Sequence, residues 1–215
     1  MRSASVILLL TGLAIVLAAA LAEDGFALFT SQPDIAGNAF DSDDCFPNNN
    51  TGFLDPSAEA ADTGRGGDGF EVNPTNAFAD GGTDPNYKAE NIDGAWEKHE
   101  FYDYGFSIDS SCVIAGIEVR LDWWLDALDG TSQIDVRLSW DGGSSRTALK
   151  SDIVETTSEH TGVLGSLTDT WGRAWTPTEL TNANFRIRLD IECTGNCSSR
   201  DYFLDWVPVK VYYGP

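Results

Sequence analysis

The sequence predicts an all-β protein, a two-sheet antiparallel β-sandwich preceded by an extended N-terminal segment. Three observations carry this prediction. Apolar and charged residues alternate with a period of two over several runs, turn-forming Gly, Asp and Asn separate those runs, and no stretch shows helical periodicity.

The clearest run is Ile117 to Trp123. Ile117, Val119, Leu121 and Trp123 point to one side of a strand, and Glu118, Arg120 and Asp122 to the other. Ile134 to Trp140 repeats the pattern and stops at the turn Asp141-Gly142-Gly143, and Phe185 to Glu192 repeats it again. Tyr202–Val207 and Val209–Tyr213 have β character on either side of Pro208, which suits an edge strand or a bend. Strands with one apolar and one charged face bury themselves by packing two sheets apolar side to apolar side, which places Trp123 and Trp140 in the core. The charged side interleaves Arg120, Arg137, Arg186 and Arg188 with Glu118, Asp122, Asp135, Asp190 and Glu192. It is either a binding face or a set of cross-strand ion pairs on a solvated sheet, and ion pairing is the simpler account.

Ahead of the strands, Arg2 is followed by an uncharged, largely apolar stretch, Ser3 to Ala22, ending Ala20-Leu21-Ala22. That is the pattern of a signal peptide over residues 1–22, cleaved after Ala22. An uncleaved anchor is the alternative, because the stretch just reaches the ~20 residues that a membrane span needs. Cleavage implies a secreted, extracellular or cell-surface protein with no membrane attachment. Residues 23–65 form an acidic, low-complexity spacer with one apolar cluster, Phe26-Ala27-Leu28-Phe29. A strand with no core of its own can be donated to an open sheet edge, in its own subunit or a neighbour's. Residues 66–215 are the expected sandwich domain.

Four cysteines in an exported chain are expected to pair. Three connectivities are possible. Gly195 and Asn196 can turn the chain between Cys193 and Cys197, which favours that local bond and, by subtraction, Cys45 with Cys112. Zinc is disfavoured because His99 and His160 lack ligand spacing. The charge balance, 34 acidic residues against 13 basic ones for a net −21, argues against nucleic acid or anionic lipid as partners.

No catalytic constellation stands out, and a non-enzymatic chain is expected. His99-Glu100 begins an H-E pair, but no second histidine stands four residues on, and no G-x-S-x-G motif accompanies either histidine. Asp80, Asp84 and Asn86 place hard oxygen atoms on a turn-rich loop, so calcium is the one cofactor the sequence points to; turns need the same residues for their own geometry. Asp126, Asp129 and Gly130 make a similar cluster. Among the tryptophans, Trp124 alternates outward and Trp171 and Trp175 fall in an expected loop. These three are the candidates for stacking on a sugar, with burial beneath the loops as the alternative.

Two resemblances add to this. Phe26 to Ser31 followed by Gly37-Asn38-Ala39-Phe40 resembles the mature start of camelysin/TasA-type secreted proteins, although Asp43-Asp44-Cys45 replaces their usual continuation. The stretch from Gly66 to Tyr213 is similar in outline to galactose-binding-like jelly rolls of bacterial secreted proteins. Its carriers are Asn73–Gly82, Gly116–Trp124, Leu138–Gly143, Asp169–Trp175, Asn184–Leu189 and Phe203–Tyr213. Such modules serve as lectins, adhesins and structural domains alike. Two functions follow as expectations. The leading one is an extracellular structural or adhesive protein, a filament or matrix subunit that self-associates through Phe26–Phe29. The alternative is a carbohydrate-binding module, calcium-dependent or not, with glycans as partners.

Overall fold

The computed structural model describes residues 45–64, 67–82, 84, 86–92, 96–195, 197 and 199–215. The expected signal peptide, Phe26–Phe29 and the camelysin/TasA-like start lie outside the described residues. Within them the fold is all-β, two antiparallel sheets face to face, as the alternating runs predict.

The strands are β1 (Asn49–Asn50), β2 (Ala58–Ala61), β3 (Ala89–Asn91), β4 (Trp96–Tyr102), β5 (Val113–Leu125), β6 (Thr131–Ser139), β7 (Lys150–Asp152), β8 (His160–Gly165), β9 (Arg186–Thr194), β10 (Tyr202–Trp206) and β11 (Val209–Gly214). In the first sheet, the long β5 is the axis. Val119 pairs with both Val209 and Leu164, and Trp123 with both Leu204 and His160, so β11 and β10 follow each other along one side and β8 lies along the other. Pro208 sits where β10 gives way to β11, a bend and not an edge, and its carbonyl accepts the Arg120 N–H at 3.1 Å. β3 extends β10 and β1 extends β11. The second sheet runs β2-β4-β9-β6-β7.

The core is what the alternation requires. Ile117, Val119, Leu121 and Trp123 of β5 face Ile134, Val136 and Leu138 of β6 and Ile187, Leu189 and Ile191 of β9, all buried. Trp140 is only half-buried. It lies past the end of β6, packed edge-on against Trp175 with the Arg173 guanidinium 4.0 Å from its ring centre.

Two short strands come from the region read as spacer. Ala58–Ala61 pairs with β4, and Asn49–Asn50 with β11. Neither has a strand-forming sequence; each is held by the ladder that its partner's edge offers. The sandwich therefore begins before residue 66.

Disulfides join Cys45 to Cys112 and Cys193 to Cys197, the favoured pairing. Bonds of this kind suit an oxidising exterior. Across the sandwich, Asp152 of β7 accepts from the buried Trp123 indole at 3.0 Å and lies 3.3 Å from His160 of β8, tying the two sheets at that edge. A side chain at Gly162 would collide with the same carboxylate at 1.7 Å, which is why glycine stands there. Among the described residues no helix is long and apolar enough to cross a membrane.

Candidate functional site

Strand alternation sends Trp96, Lys98, Glu100 and Tyr102 of β4 to the outer face of the second sheet, while His99 and Phe101 are buried behind them. The register sets Trp96 beside Glu192, Lys98 beside Asp190, Glu100 beside Arg188 and Tyr102 beside Arg186. On the far side of β9, Gln133, Asp135, Arg137 and Ser139 of β6 line up with Glu192, Asp190, Arg188 and Arg186. The outer face is therefore a polar lattice three strands wide, with an aromatic residue at either end of β4.

The lattice is held by ion pairs. Asp190 is gripped from both sides, by the Arg137 Nε at 2.9 Å and the Arg188 Nε at 2.7 Å. Glu100, equally sunk in the face, meets Arg146 and, at 3.3 Å, Arg186. Arg188 also reaches Asp62 at 3.3 Å, and Arg186 lies 4.1 Å from the Tyr102 ring centre. Pairs this enclosed lose their solvation, so their side chains are fixed by geometry and not left to wave in water. Asp135 is buried with Gln133 donating to it at 2.8 Å. Burial, and then the charges of Asp135 and Asp190, push the Glu192 carboxyl up from its ordinary value.

Two recesses open on this face. The larger, about 470 Å³, is lined by Trp96, Glu97, Lys98, Arg137, Arg188, Asp190, Ile191 and Glu192. Trp96 stands at its rim 56 % exposed, and no ring or cation of the described residues lies against it. The smaller, about 380 Å³, lies between Asp62, Glu100, Arg146 and the turn at Gly142-Gly143. Chemically the larger recess offers an apolar ring face beside fixed donors and acceptors, the combination that an amphipathic, hydroxyl-rich ligand uses.

The tryptophans singled out from sequence lie elsewhere. Trp171 and Trp175 are buried, their indole nitrogens donating to the carbonyls of Ile117 at 3.0 Å and Thr170 at 2.8 Å. That corrects the expectation that the 169–175 loop displays them: the loop folds back over the first sheet and uses both rings as core. Trp124 does point outward, but its ring packs 5.5 Å from Phe203, with the Lys88 ammonium at 5.9 Å. The residue that sequence reasoning passed over is Trp96. Its signal was present, since Glu97, His99 and Phe101 alternate with Trp96, Lys98 and Glu100, but the run is polar on both sides and reads as a loop.

The loop chosen for calcium is organised by its own backbone. Asp80 accepts the Gly82 N–H at 2.7 Å, and Asp84 accepts the Asn86 N–H at 2.9 Å and its side-chain amide at 3.3 Å. Both are the turn-forming hydrogen bonds that Asp residues make without any ion. The carboxylate nearest the loop core is Asp205 of β10, buried at an irregularity of the β10–β5 ladder, with both oxygens on the Gly81 N–H. Burial, helped by the charges of Glu159, Asp80 and Asp122, pushes its pKa up to about 7. At the 126–130 turn the protein supplies its own cation: the buried Arg200 guanidinium sits between Asp126 and Asp129. His99 accepts the Phe70 N–H through Nδ1 at 3.1 Å with Nε2 at 2.8 Å from Glu59, and burial lowers its pKa to about 4. It is a neutral hinge between strand and loop.

No family model and no curated protein matches the chain. Among solved structures it is similar to the CBM32 of AlyQ in complex with 4,5-unsaturated mannuronic acid, with 15 % identity over 73 % of this chain and 96 % of that one, at a TM-score of 0.39. It is also similar to TmCBM61 in complex with β-1,4-galactotriose, with 10 % identity, 78 % and 90 % coverage and a TM-score of 0.32. A third likeness is to the CBM22-1–GH10 modules of Clostridium thermocellum Xyn10B complexed with xylohexaose, with 13 % identity, 80 % and 28 % coverage and a TM-score of 0.30. Likenesses this distant carry no argument, and the fold rests on the strand pairings themselves.

Proposed function

We propose that the chain is an extracellular carbohydrate-binding module whose ligand lies on the outer face of the second sheet. One observation carries this: Trp96 presents a bare ring at the rim of a recess in which Arg137, Arg188 and Asp190 are locked in place by ion pairs. A sugar ring stacks one apolar face on an aromatic while its hydroxyls seek donors and acceptors around the edge. Here Lys98, Arg137 and Glu192 line the same recess as the ring. Because Asp190 already fixes Arg137, little side-chain entropy is lost on binding. The filament or matrix reading depends on Phe26–Phe29, and nothing in the described residues adds support to it.

The test is affinity electrophoresis of the wild type and of Trp96→Ala against a panel of soluble polysaccharides, with tryptophan fluorescence followed in parallel. The wild type is expected to be retarded by at least one polymer with a shift in its emission. Trp96→Ala should lose both, with an unchanged melting temperature because the ring is largely in water. Equal retardation of the variant would overturn the assignment of the face.

A further inference from the structure

On one side the first sheet ends in a strand edge that no described strand pairs with. β8 is bonded only to β5, and the ladder on the other side of β5 fixes which of its backbone groups face outward. There the Arg120 N–H donates to the Pro208 carbonyl, and Val209 exchanges both its backbone hydrogen bonds with Leu54. Val119, opposite Val209, therefore turns its N–H and C=O away from β11 and toward Leu164 of β8. Alternation then sends the backbone groups of Gly162 and Leu164 to β5 and those of Thr161 and Val163 out of the sheet, where no described backbone group meets them.

Proteins normally blunt such an edge with charge, with proline or with a cover. Other edges here are treated so: β2 carries Glu59, β7 carries Lys150 and Asp152, and β3 is flanked by the Val72–Glu90 bridge. β8 is the longest edge strand and has no Asp, Glu, Lys or Arg. Thr161 and Val163 are exposed, Val163 by 50 %, while His160 turns inward onto Asp152. More apolar side chains stand exposed nearby in the chain, Leu167 just past β8 and Leu149, Ile153 and Val154 around β7. The strand is also complementary to itself. Set antiparallel to a second copy about a two-fold axis at Gly162, Thr161 of each chain exchanges both backbone hydrogen bonds with Val163 of the other, and β-branched side chains meet on one face. Charge permits this pairing in a chain of net −21. Glu159, the carboxylate next to the strand, lies about 20 Å from its counterpart at the usual strand rise, beyond the ~8 Å screening length at physiological salt. Asp122, beside Thr161 on β5, is already neutralised by Arg120.

We infer that β8 is a self-pairing edge through which two copies of this chain join their first sheets into one. Two-fold pairing is closed, so the product is a dimer and not a filament. Few residues take part, which makes the dimer weak, with half-association at roughly micromolar concentration. Trp96 stands on the other sheet and takes no part in the pairing.

The test is sedimentation velocity of the full chain from about 1 to about 500 µM, with amide hydrogen exchange at both ends of that range. The sedimentation coefficient is expected to rise reversibly from monomer to dimer. The Thr161 and Val163 amides should exchange fast when dilute and gain about tenfold protection or more when concentrated, while Gly162 and Leu164 stay protected throughout. Val163→Lys puts a charge at an outward position and should raise the half-association concentration by about tenfold or more, with an unchanged melting temperature. Thr161→Pro removes only an outward N–H and serves if the first variant fails to fold. A wild type that stays monomeric across the range would overturn the self-pairing edge, and so would association that these variants leave undiminished.

Discussion

The outer faces of the two sheets follow the same alternating code and end as different surfaces. On the first sheet the outward aromatics are lidded by the chain's own cations: Lys88 lies 3.7 Å from the Phe203 ring centre, Arg120 4.5 Å from Trp206, and Lys210 4.3 Å from Phe53. On the second, the cations are drawn onto buried carboxylates, Arg186 covering the Tyr102 ring as well, and Trp96 is left bare. The acids differ in the opposite sense. Glu100 and Asp190 each have two arginines, whereas Asp205 on the first sheet has a backbone N–H and three acidic neighbours. Alternation tells which side chains leave the core. Which of them remain available to a ligand is decided by cross-strand partners far apart in sequence.

The largest effect expected from this contrast is at Asp205. Its folded pKa of about 7 stands above the ordinary 3.8, so the folded state holds the proton more tightly than the unfolded one. Stability on this account is full at acid pH and is lost as pH rises from about 4 to about 7. At roughly 1.4 kcal/mol per unit of difference, the loss is of order a few kcal/mol. Asp205→Asn should remove that slope and be more stable than wild type at pH 8, measured by urea unfolding across the range. A variant with the wild-type slope would place the proton elsewhere.

Next comes the arginine lattice. Glu100→Gln leaves Arg146 and Arg186 without the charge they share and should cost about 2 to 3 kcal/mol, at the low end for a broken buried pair because both guanidinium groups keep some solvent contact. A loss below about 0.5 kcal/mol in chemical denaturation would show the lattice to be an ordinary solvated surface. Smaller again, Trp124→Ala should cost about 1 to 2 kcal/mol through lost contact with Phe203 and leave polysaccharide affinity unchanged, the reverse of Trp96→Ala. If Trp124→Ala abolished binding, the two faces would have been assigned the wrong way round.

How far all this was legible in the sequence follows from the same contrast. β5, β6 and β9 could be read because each is long and buries a continuous apolar side, and the disulfides because glycine and asparagine, the residues between Cys193 and Cys197 that favour turns, point to a local bond. β1 and β2 could not be read, since Asn49-Asn50 and Ala58–Ala61 are strands only because β11 and β4 leave an edge to pair with. The site was the least legible part. Trp171 and Trp175 have the composition of a displayed loop, yet their indole N–H groups find carbonyl acceptors within the fold. Burying both rings beneath the loop then stabilises more than exposing them. Trp96 opens a run, Glu97-Lys98-His99-Glu100, that is charged or polar throughout, and its partners Arg137, Arg188 and Glu192 come together only through the register of three strands.

The central claim is that the ligand lies on the second sheet's outer face, and amide hydrogen exchange with and without a bound polysaccharide tests it most directly. The account predicts added protection on β4 and β9 around Trp96, Lys98 and Glu192, with β10, β11 and the 169–175 loop unchanged. Protection confined to β10 and β11, or to the loop that carries Trp171 and Trp175, would contradict it.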